Sequence, residues 1–478
     1  MKVLMAASEC APFIKTGGLA DVVGALPNVL AGHGIECRTL LPAYPSLQPL
    51  LSDGRQVAEF HDLPGGYGQL VLVSAEGVDL LLLDAPQLFD RPGKPYSAPD
   101  GEDWPDNHLR FGALAQAAAR IGMDGPDGWR PDIVHAHDWQ AALVPVYLKQ
   151  ANCSVPKSIL TIHNIAFQGL FDPSAMGHLG LRGDWYHPEG LEFHGALGFL
   201  KGGLMFADRI TTVSPTYSSE ILTPEYGMGL EGVLQARSAA LSGILNGIDT
   251  GVWDPANDPA LARSYNARSL ARKAQNRAAI ADRLGLASDS SGPLFCVISR
   301  LTQQKGLDAL AGAIPHVVQR GGQLAVLGTG EANLESAFAA GSSEYPGQVG
   351  TLIDYDEEFA HLLQGGSNAI LIPSRFEPCG LTQLYGLRYG TLPVVARTGG
   401  LADTVIDANA AALDMECATG FVFDQVTTDG ITAALDRVFD AFADKKTWQT
   451  LQRAAMRQPV GWERSASAYA QLYKELAS

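Results

Sequence analysis

The chain has 478 residues, of which 46% are hydrophobic and 18% are charged, a composition typical of a globular protein with two or three domains. Its formal net charge of −17 at pH 7 argues against nucleic acid or an anionic membrane surface as the main partner, because both would repel the chain. An anionic ligand would have to be met by locally concentrated lysine and arginine side chains.

Six cysteines are scattered along the chain without a C-x-x-C pair, and a chain of this length needs no disulfides to be stable. We therefore expect reduced thiols and a cytoplasmic location. The first residues run directly into a strand pattern without the features of a cleavable signal, and no apolar stretch is long enough to cross a bilayer.

The first predicted element is a parallel strand over residues 3–7, and a helix follows from Gly17 and Gly18 to about residue 30. Glycines at a helix N-terminus let the backbone approach an anion closely, and Lys15 would add a positive charge there. The pattern is neither G-x-G-x-x-G nor a Walker P-loop. A tight turn with a surface lysine is therefore an equally good interpretation of this loop alone.

A second strand is predicted over residues 35–41, and no carboxylate stands at its end, where a nicotinamide ribose would need one. Residues 69–74 and 78–84 flank a short turn and predict an antiparallel hairpin. The segment 89–108 is rich in proline, glycine and aspartate, which favours a surface loop at the rim of a substrate site. An alanine-rich helix is predicted over residues 109–121.

The segment 131–140 predicts a buried strand that ends in a polar cluster. The alternation of side chains along a strand places His135 and His137 on one face and Asp138 on the other. A third metal ligand would have to come from elsewhere in the chain. We therefore favour hydrogen-bonded strand-end residues near a cleft over a metal site.

The next predicted strand, residues 158–162, also ends in polar residues, His163 and Asn164. Because parallel strands end at the same edge of a sheet, both strands are expected to deliver polar groups around one crevice. We favour contact of His163 with substrate over the alternative, a hydrogen-bonded structural histidine.

A helix over residues 193–205 and a strand over residues 209–214 complete the first half, and we place the domain boundary near residue 250. Residues 256–275 are polar and helical in character, which is typical of a linker and the opening helix of a second domain.

The second half begins the α/β pattern again with a strand over residues 294–299. Arg300 and Lys305 lie on either side of the following strand-to-helix turn, an arrangement suited to holding a diphosphate as charge develops on it. Further strands are predicted over residues 323–327 and 349–353. The acidic stretch after the last of these predicts a helix N-cap instead of a metal–nucleotide site, with Tyr355 available to stack on a base.

A short apolar strand over residues 369–372 leads into a helix predicted over residues 381–389. Glu377, Cys379 and Gly380 lie on the turn between them, at the edge of an open α/β sheet where ligands bind. A carboxylate on such a turn can bind sugar hydroxyls while neighbouring amides hold phosphate. The alternative is an ordinary loop with Glu377 in solvent.

The remaining pattern predicts strands over residues 393–396 and 420–423, helices from about residue 430 to residue 455, and a last amphipathic helix marked by Trp462 and Tyr473.

Six motifs follow one another along nearly the whole chain. They are K-T-G-G-L-A-D-V at 15–22, H-A-H-D-W at 135–139, T-I-H-N at 161–164, N-G-I-D at 246–249, S-R-L-T-Q-Q-K-G at 299–306 and E-P-C-G-L-T-Q at 377–383. Together they resemble the bacterial glycogen synthases and plant starch synthases, glycosyltransferase family 5. Each motif alone is unspecific, whereas the ordered set is highly specific.

The resemblance implies a GT-B architecture, with two Rossmann-like domains, a cleft between them and a C-terminal helix that crosses back to the first domain. The implied domains are residues 1–250, which bind the acceptor glucan, and residues 251–458, which bind the nucleotide sugar, with residues 459–478 as the crossing helix. The implied reaction transfers glucose from ADP-glucose to the non-reducing 4-hydroxyl of an α-1,4-glucan such as glycogen, with retention of configuration. No metal and no cofactor are implied, since ADP-glucose is a co-substrate.

The resemblance also implies roles for individual residues. The catalytic residues would be Glu377, Arg300, Lys305, His163 and Asp138. The donor-binding residues would be Lys15, Gly18, Asp21, Asn164, Asn246, Tyr355, Cys379, Gly380, Leu381 and Thr382. The acceptor would bind mainly to the N-terminal domain.

One departure from related retaining enzymes bears on the mechanism. Those enzymes often carry E-x₇-E, whereas the position eight residues after Glu377 is Tyr385 here. A double displacement needs a carboxylate nucleophile at the anomeric carbon, and Asp138 is the residue to test for that role. Our hypothesis is a front-face displacement in which the departing phosphate helps to deprotonate the acceptor.

Two other classes of protein are alternatives. A nucleotide-dependent oxidoreductase would suit two Rossmann-like halves, but the fingerprint glycines and the ribose carboxylate are missing. An inactive glucan-binding protein would be expected to have lost Glu377, Lys305 or Lys15, and all three are present. Within the enzyme class, the alternative is a retaining transferase that uses UDP-glucose or another acceptor.

Overall fold

The computed structural model describes residues 1–151 and 153–478, and it divides the chain into two compact units. The first unit comprises residues 1–246 and 462–478, and the second comprises residues 247–461.

The strands of the first unit are β1 Lys2–Ala6, β2 Glu36–Pro42, β3 Arg55–Leu63, β4 Gly66–Ala75, β5 Val78–Asp84, β6 Ile133–His137, β7 Lys157–Ile162, β8 Leu170–Phe171, β9 Glu192–Phe193, β10 Ala196–Gly198, β11 Arg209–Thr212 and β12 Leu241–Gly243. Its helices before the second unit are α1 Gly18–Ala31, α2 Gln48–Leu51, α3 Pro86–Phe89, α4 Asn107–Asp124, α5 Asp138–Ala141, α6 Val144–Gln150, α7 Ala175–His178, α8 Phe199–Phe206, α9 Pro215–Glu220 and α10 Glu231–Ala236.

The main sheet of the first unit has the order β12-β11-β7-β6-β1-β2-β5-β4-β3 in the described residues. Its pairs are parallel from β12 to β5, and the hairpin β4–β5 extends the sheet antiparallel, as the sequence predicts. Strand β3 was not predicted, and it pairs antiparallel with β4 at the edge. The order reverses between β1 and β6, so the loops that follow these two strands flank a topological switch point, where ligands bind in such folds.

One prediction for the first unit is wrong. Residues 193–198 are not helical, because His194 and Gly195 adopt positive φ angles of 51° and 81° and form the turn between β9 and β10. The helix α8 begins only at Phe199. The segment 89–108 is mostly an irregular loop with many exposed residues, as predicted, and it is anchored to the core, because Phe89 is buried and the Tyr96 hydroxyl lies 2.9 Å from Ser8 Oγ.

The strands of the second unit are β13 Leu294–Ile298, β14 Gln323–Leu327, β15 Val349–Leu352, β16 Ala369–Ile372, β17 Leu392–Ala396 and β18 Phe421–Phe423. Its helices are α11 Lys273–Leu284, α12 Leu307–Gln319, α13 Ala332–Glu344, α14 Glu357–Gly366, α15 Thr382–Tyr389, α16 Gly399–Thr404, α17 Ala410–Asp414, α18 Thr428–Ala443 and α19 Lys445–Met456.

The second sheet has the order β15-β14-β13-β16-β17-β18, and all its pairs are parallel. Strands such as β16 are buried on both faces, which explains why they read as short continuous apolar runs. The order reverses between β13 and β16. The loops after these two strands carry the S-R-L-T-Q-Q-K-G and E-P-C-G-L-T-Q motifs.

The predicted opening helix of the second unit is wrong over most of its length, because regular helix begins only at Lys273. Asp254 and Asp258 accept hydrogen bonds from backbone N–H groups two residues further on, and such Asx turns compete with helix. The segment is nevertheless packed, since the buried Tyr265 donates its hydroxyl to the Tyr389 carbonyl oxygen at 2.7 Å.

The final helix, α20 Glu463–Ala477, belongs to the first unit. Its apolar face is buried in the core beneath β1 and α1, and this core includes Trp462, Tyr469, Tyr473 and Leu476. The Tyr473 hydroxyl lies 2.7 Å from Nδ1 of His135 on β6. The helix therefore contributes both apolar packing and a buried polar contact to the first unit.

All six cysteines are free thiols, in agreement with the expectation from their spacing. Across residues 1–151 and 153–478, no helix is both long enough and apolar enough to span a membrane.

Replacing Tyr473 tests how much α20 stabilises the first unit. Tyr473→Phe leaves His135 Nδ1 buried without its partner and should lower the free energy of unfolding by about 1–3 kcal/mol. Tyr473→Ala also leaves a cavity and should lower it by about 3–5 kcal/mol. Urea unfolding, monitored by hydrogen exchange in peptides from β6 and α20, measures the free energy of unfolding of both variants. Lys474→Ala, on the exposed side of the same helix, is the control, and an equal loss there would contradict the assignment.

Candidate active site

In the second unit, a buried ion pair lies at the topological switch point. Lys305 Nζ donates to Glu377 Oε2 at 2.5 Å, and Ser374 Oγ donates to the same oxygen at 2.9 Å. The side chains of Lys305 and Glu377 are only 18% and 10% exposed. The alternative of an ordinary loop with Glu377 in solvent is therefore excluded, because the carboxylate is held by two donors.

Two glycines allow the surrounding loops to pack directly on one another. Gly306 has a φ of 66°, and a Cβ atom there would lie 1.9 Å from the Pro373 carbonyl oxygen. Gly399 has a φ of 42°, and a Cβ atom there would lie 1.9 Å from the Glu377 carbonyl oxygen. Any side chain at either position would push its loop away from the ion pair.

The arginines near this pair differ in their partners. Arg375 is held by Asp308 through two hydrogen bonds of 2.7 Å, so its charge is already neutralised. Arg300 is exposed, and within the described part of the chain it forms no ion pair. Since Lys305 and Glu377 cancel each other's charge, Arg300 contributes the uncompensated positive charge of this loop.

Helix α15 begins beside Glu377. Cys379 is buried, Gly380 has a φ of 70°, and the helix follows at Thr382 after Leu381 without a side-chain cap. Gln383 stabilises the turn by donating to the carbonyl oxygens of Cys379 and Gly380 at 3.0 and 3.1 Å. The first amides of this helix are thus left to an anionic ligand.

The predicted N-cap on the neighbouring helix is confirmed. Asp356 accepts a hydrogen bond of 2.8 Å from the Phe359 amide at the start of α14. Tyr355 immediately precedes this cap and is 74% exposed, an unusual position for a large aromatic ring.

Tyr385, which occupies the place of the second glutamate of E-x₇-E, is a packing residue. Its ring stacks on Trp253 with centroids 3.6 Å apart, and the other face of Trp253 stacks on His361 at 3.7 Å. The position therefore lies within the core of the second unit.

In the first unit, the loop after β1 is organised by a carboxylate that the sequence analysis missed. Glu9 is 3% exposed and accepts hydrogen bonds from the Thr16 amide at 2.5 Å, the Gly17 amide at 3.2 Å and the Tyr96 hydroxyl. Its position directly after a buried strand was the available signal. Because Glu9 occupies these two amides, only the amides from Gly18 onward are left for an anion.

The same loop contains an ion pair between two predicted donor-binding residues, Lys15 and Asp21, whose Nζ and Oδ1 atoms lie 2.8 Å apart. Both side chains are partly exposed. Asp21 therefore orients Lys15 at the start of α1.

The strand ends of β6 and β7 come together as predicted. Asp138 Oδ1 accepts hydrogen bonds from the amides of His163 at 2.6 Å and Asn164 at 3.4 Å, and Asp138 has a φ of 54°, rare for a residue other than glycine. Burial raises the pKa of the Asp138 carboxyl to about 7, although the two amide hydrogen bonds oppose this shift and Glu9 adds to it. Such strain and such a shifted carboxyl group are typical of functional sites.

His163 and Asn246 are also buried in the first unit, with exposed fractions of 9% and 7%. Burial lowers the pKa of His163 to about 3, so its ring is neutral. The side-chain oxygen of Asn246 is buried without a hydrogen-bond partner in the described residues, which is rare unless a ligand supplies the partner.

The described residues contain no group of three or more histidine, cysteine or acidic side chains arranged to hold a metal ion.

Two protein-family models match this chain, one within each unit. The model described as "Starch synthase catalytic domain" matches residues 2–236, and the model described as "Glycosyl transferases group 1" matches residues 281–453.

Two relatives that align over almost their whole length are glycogen synthases. A glycogen synthase of Roseobacter denitrificans is 61% identical over 476 residues, covering 100% of this chain and 99% of the relative. A glycogen synthase of Rhizobium rhizogenes is 52% identical over 478 residues, with the same coverage.

Solved structures with a similar fold include a starch synthase domain and a sucrose-phosphate synthase. The catalytic domain of starch synthase IV from Arabidopsis thaliana, bound to ADP and acarbose, aligns with a TM-score of 0.88 and 32% identity over 100% of this chain and 99% of that one. Sucrose-phosphate synthase from Thermosynechococcus elongatus aligns with a TM-score of 0.62 and 17% identity over 99% of this chain and 98% of that one, a likeness of fold alone. The GT-B fold and the family resemblance inferred from the motifs are thereby confirmed. The chain belongs to the glycogen synthase and starch synthase family of glycosyltransferases, glycosyltransferase family 5.

Proposed function

We propose that this chain transfers glucose from ADP-glucose to the non-reducing 4-hydroxyl of an α-1,4-glucan such as glycogen, with retention and without a metal ion. The observation that carries the proposal is the Lys305–Glu377 ion pair at the switch point of the second unit, in a chain that aligns over 99% of the length of a glycogen synthase. The ADP bound in the starch synthase IV structure supports an adenine nucleotide as the leaving group. The six free thiols support a cytoplasmic location.

The leaving group requires positive charge. In the second unit, we assign the diphosphate to Arg300, Lys305 and the uncapped amides at the start of α15, from Gly380 to Thr382. An incoming diphosphate would share Lys305 with Glu377, because an ammonium group has three donors. Tyr355, on the exposed turn before α14, is assigned to the base. Cys379, buried in the turn before α15, is assigned to the donor side.

The glucosyl group requires hydrogen-bonding partners. We assign Glu377 to its hydroxyls, because Lys305 and Ser374 hold one carboxylate oxygen and leave the other to accept from a sugar. In the first unit we assign His163, Asn164, Asp138 and Asn246 to the same group.

The loop around Gly18 also belongs to the donor side of the proposal. Lys15, oriented by Asp21, and the first amides of α1 are assigned to the donor phosphates. We propose that the acceptor glucan binds mainly to residues 1–250 and the nucleotide sugar to residues 251–458, with residues 459–478 as the helix that returns to the first domain.

Retention is explained by displacement on one face of the sugar. The bond between the anomeric carbon and the phosphate oxygen breaks, the acceptor 4-oxygen bonds to the same face of that carbon, and its proton passes to the departing phosphate. Tyr385 supplies no carboxylate for a double displacement, and its ring packs against Trp253. Detecting a glucosyl-enzyme on Asp138 or Glu377 by mass spectrometry would contradict this mechanism.

Incorporation of labelled glucose into glycogen, measured in parallel with ADP-glucose and UDP-glucose in the presence of a chelator, tests the proposed function. We expect incorporation from ADP-glucose that the chelator does not change. Incorporation from UDP-glucose alone would overturn the nucleotide assignment, and no incorporation from either donor would overturn the acceptor or the reaction.

Glu377→Gln tests the ion pair, because glutamine retains an oxygen for Lys305 and Ser374 but removes the charge. We expect kcat/KM to fall by about 10²–10³-fold, the usual effect of losing a group that stabilises the transition state. Stability should fall by about 1 kcal/mol. Kinetics and thermal unfolding of the same preparation measure both quantities. Asp436→Asn, in the surface pair with Arg320, is the control and should change neither. Loss of activity in proportion to loss of folded protein would contradict the site assignment.

Asp138→Asn tests the raised pKa of the Asp138 carboxyl group. Because the pKa of Asp138 is raised in the folded state, the native protein holds a proton that the unfolded chain has already released between about pH 4 and pH 7. Stability from this group therefore falls as the pH rises through that window. Asparagine has no proton to release and keeps an oxygen for both amides. The stability of the variant relative to the original chain should thus increase from pH 5 to pH 8, measured by urea unfolding. A pH-independent difference would contradict the raised pKa.

A further inference from the structure

Three histidine rings form a row at the carboxyl ends of β6 and β7. The rings of His135 and His137 stack with centroids 4.2 Å apart, and His137 Nδ1 lies 3.0 Å from His163 Nε2. Both ring nitrogens of His135 have partners, the Tyr473 hydroxyl at 2.7 Å and Thr161 Oγ1 at 2.5 Å. The row therefore connects α20 to a residue that we assign to the glucosyl group.

All three rings are neutral near pH 7. Burial lowers the pKa of His135 and of His163 to about 3, and it lowers the pKa of His137 well below its ordinary value, with the neighbouring histidines adding to the shift. A neutral imidazole has one N–H group and one lone pair. The contact between His137 and His163 therefore fixes where the proton of each ring lies.

Either ring could donate the hydrogen bond between His137 Nδ1 and His163 Nε2, and the other nitrogen of His137 distinguishes the two arrangements. His137 Nε2 is buried and has no hydrogen-bond partner in the described residues. If His163 Nε2–H donated to His137 Nδ1, the proton of His137 would have to lie on Nε2, where no acceptor meets it. If His137 Nδ1–H donates, Nε2 carries only a lone pair. Buried N–H groups without an acceptor are rarer in proteins than acceptors without a donor, so the second arrangement is favoured.

We propose that His137 is a positioning residue, which donates from Nδ1 to His163 Nε2 and fixes His163 in the tautomer that carries its proton on Nδ1. His163 Nδ1 has no hydrogen bond to any residue that the structure describes, so its N–H group is left for a ligand oxygen. That oxygen belongs to the glucosyl group of the donor, a step that rests on the proposed function. His163 thus acts as a neutral donor of a hydrogen bond, and His137 determines this role without touching the sugar.

The ring ¹⁵N resonances of His163 in the ligand-free protein test the tautomer directly. Histidine labelled with ¹⁵N, with His163 assigned by the resonances missing from His163→Asn, shows which ring nitrogen carries the proton. We expect the proton on Nδ1, although a histidine side chain in water prefers Nε2. A proton on Nε2 would overturn the inference and leave the proposed function standing.

Two variants of His137 test the positioning role. His137→Phe fills the ring volume without a donor and should remove the hydrogen bond to His163 Nε2, which moves the ¹⁵N resonance of that unprotonated nitrogen. His137→Asn places an amide N–H group near the position of Nδ1 and should keep this resonance close to its position in the original chain. If the His163 Nε2 resonance were the same in both variants, the role of His137 would be refuted. The original chain already tests the tautomer, so the inference remains falsifiable if His137→Phe fails to fold.

Kinetics with ADP-glucose test the link to the sugar. We expect kcat/KM to fall about tenfold in His137→Phe, the effect of one hydrogen bond, and to fall less in His137→Asn. His33→Phe, at an exposed histidine, is the matched control and should behave like the original chain. Loss of the hydrogen bond to His163 Nε2 with unchanged kcat/KM would refute the contact of His163 with the glucosyl group, whereas loss of all incorporation in the original chain would refute the proposed function itself.

Discussion

The pairing of parallel strands on either side of a switch point is the constraint on which the rest of this protein depends. In the second unit, β13 and β16 lie side by side but are far apart in sequence, and their following loops meet at the edge of the sheet. Lys305 and Glu377 form an ion pair because the two strands end together. The close contact of Gly306 with the Pro373 carbonyl shows how tightly this geometry is set. A shift of either strand would separate the charges and leave each buried without its partner.

The first unit repeats this arrangement with different chemistry. The loops after β1 and β6 flank its switch point, and besides the partly exposed Lys15–Asp21 ion pair they carry carboxylates and histidines. Glu9 is satisfied by amide and hydroxyl donors, whereas Asp138 has only two amides, and burial raises its pKa to about 7. The histidines are kept neutral by burial. The switch point of the first unit thus presents mainly polar groups held by hydrogen bonds, which suits hydroxyl groups, while Arg300 gives that of the second an uncompensated positive charge, which suits phosphate.

Because the chain carries a large net negative charge, an unpaired cation beside a candidate site is informative about where an anion can bind. With −17 overall, the protein repels anions at long range, and only a specific arrangement of donors can hold a diphosphate. Most arginines near acidic residues are already paired, as Arg375 is with Asp308. Arg300 is exposed and forms no such pair within the described residues, which distinguishes it from a structural arginine. Binding of the proposed diphosphate ligand therefore depends on where the unpaired positive charges lie more than on how many there are.

The sequence by itself determined most of the parallel strands, the turns with Lys305 and Glu377, and the family, because buried parallel strands are short apolar runs and the motifs follow them. It predicted helix where β9 and β10 form a hairpin, because the left-handed conformations of His194 and Gly195 leave no periodic signal. Only the tertiary structure decided that Glu9 occupies the amides of the glycine loop, that Tyr385 packs against Trp253, and that His137 contacts His163. These contacts join residues that are far apart in sequence or on different elements, and a hydrophobic pattern indicates which residues are buried but not which of them are in contact.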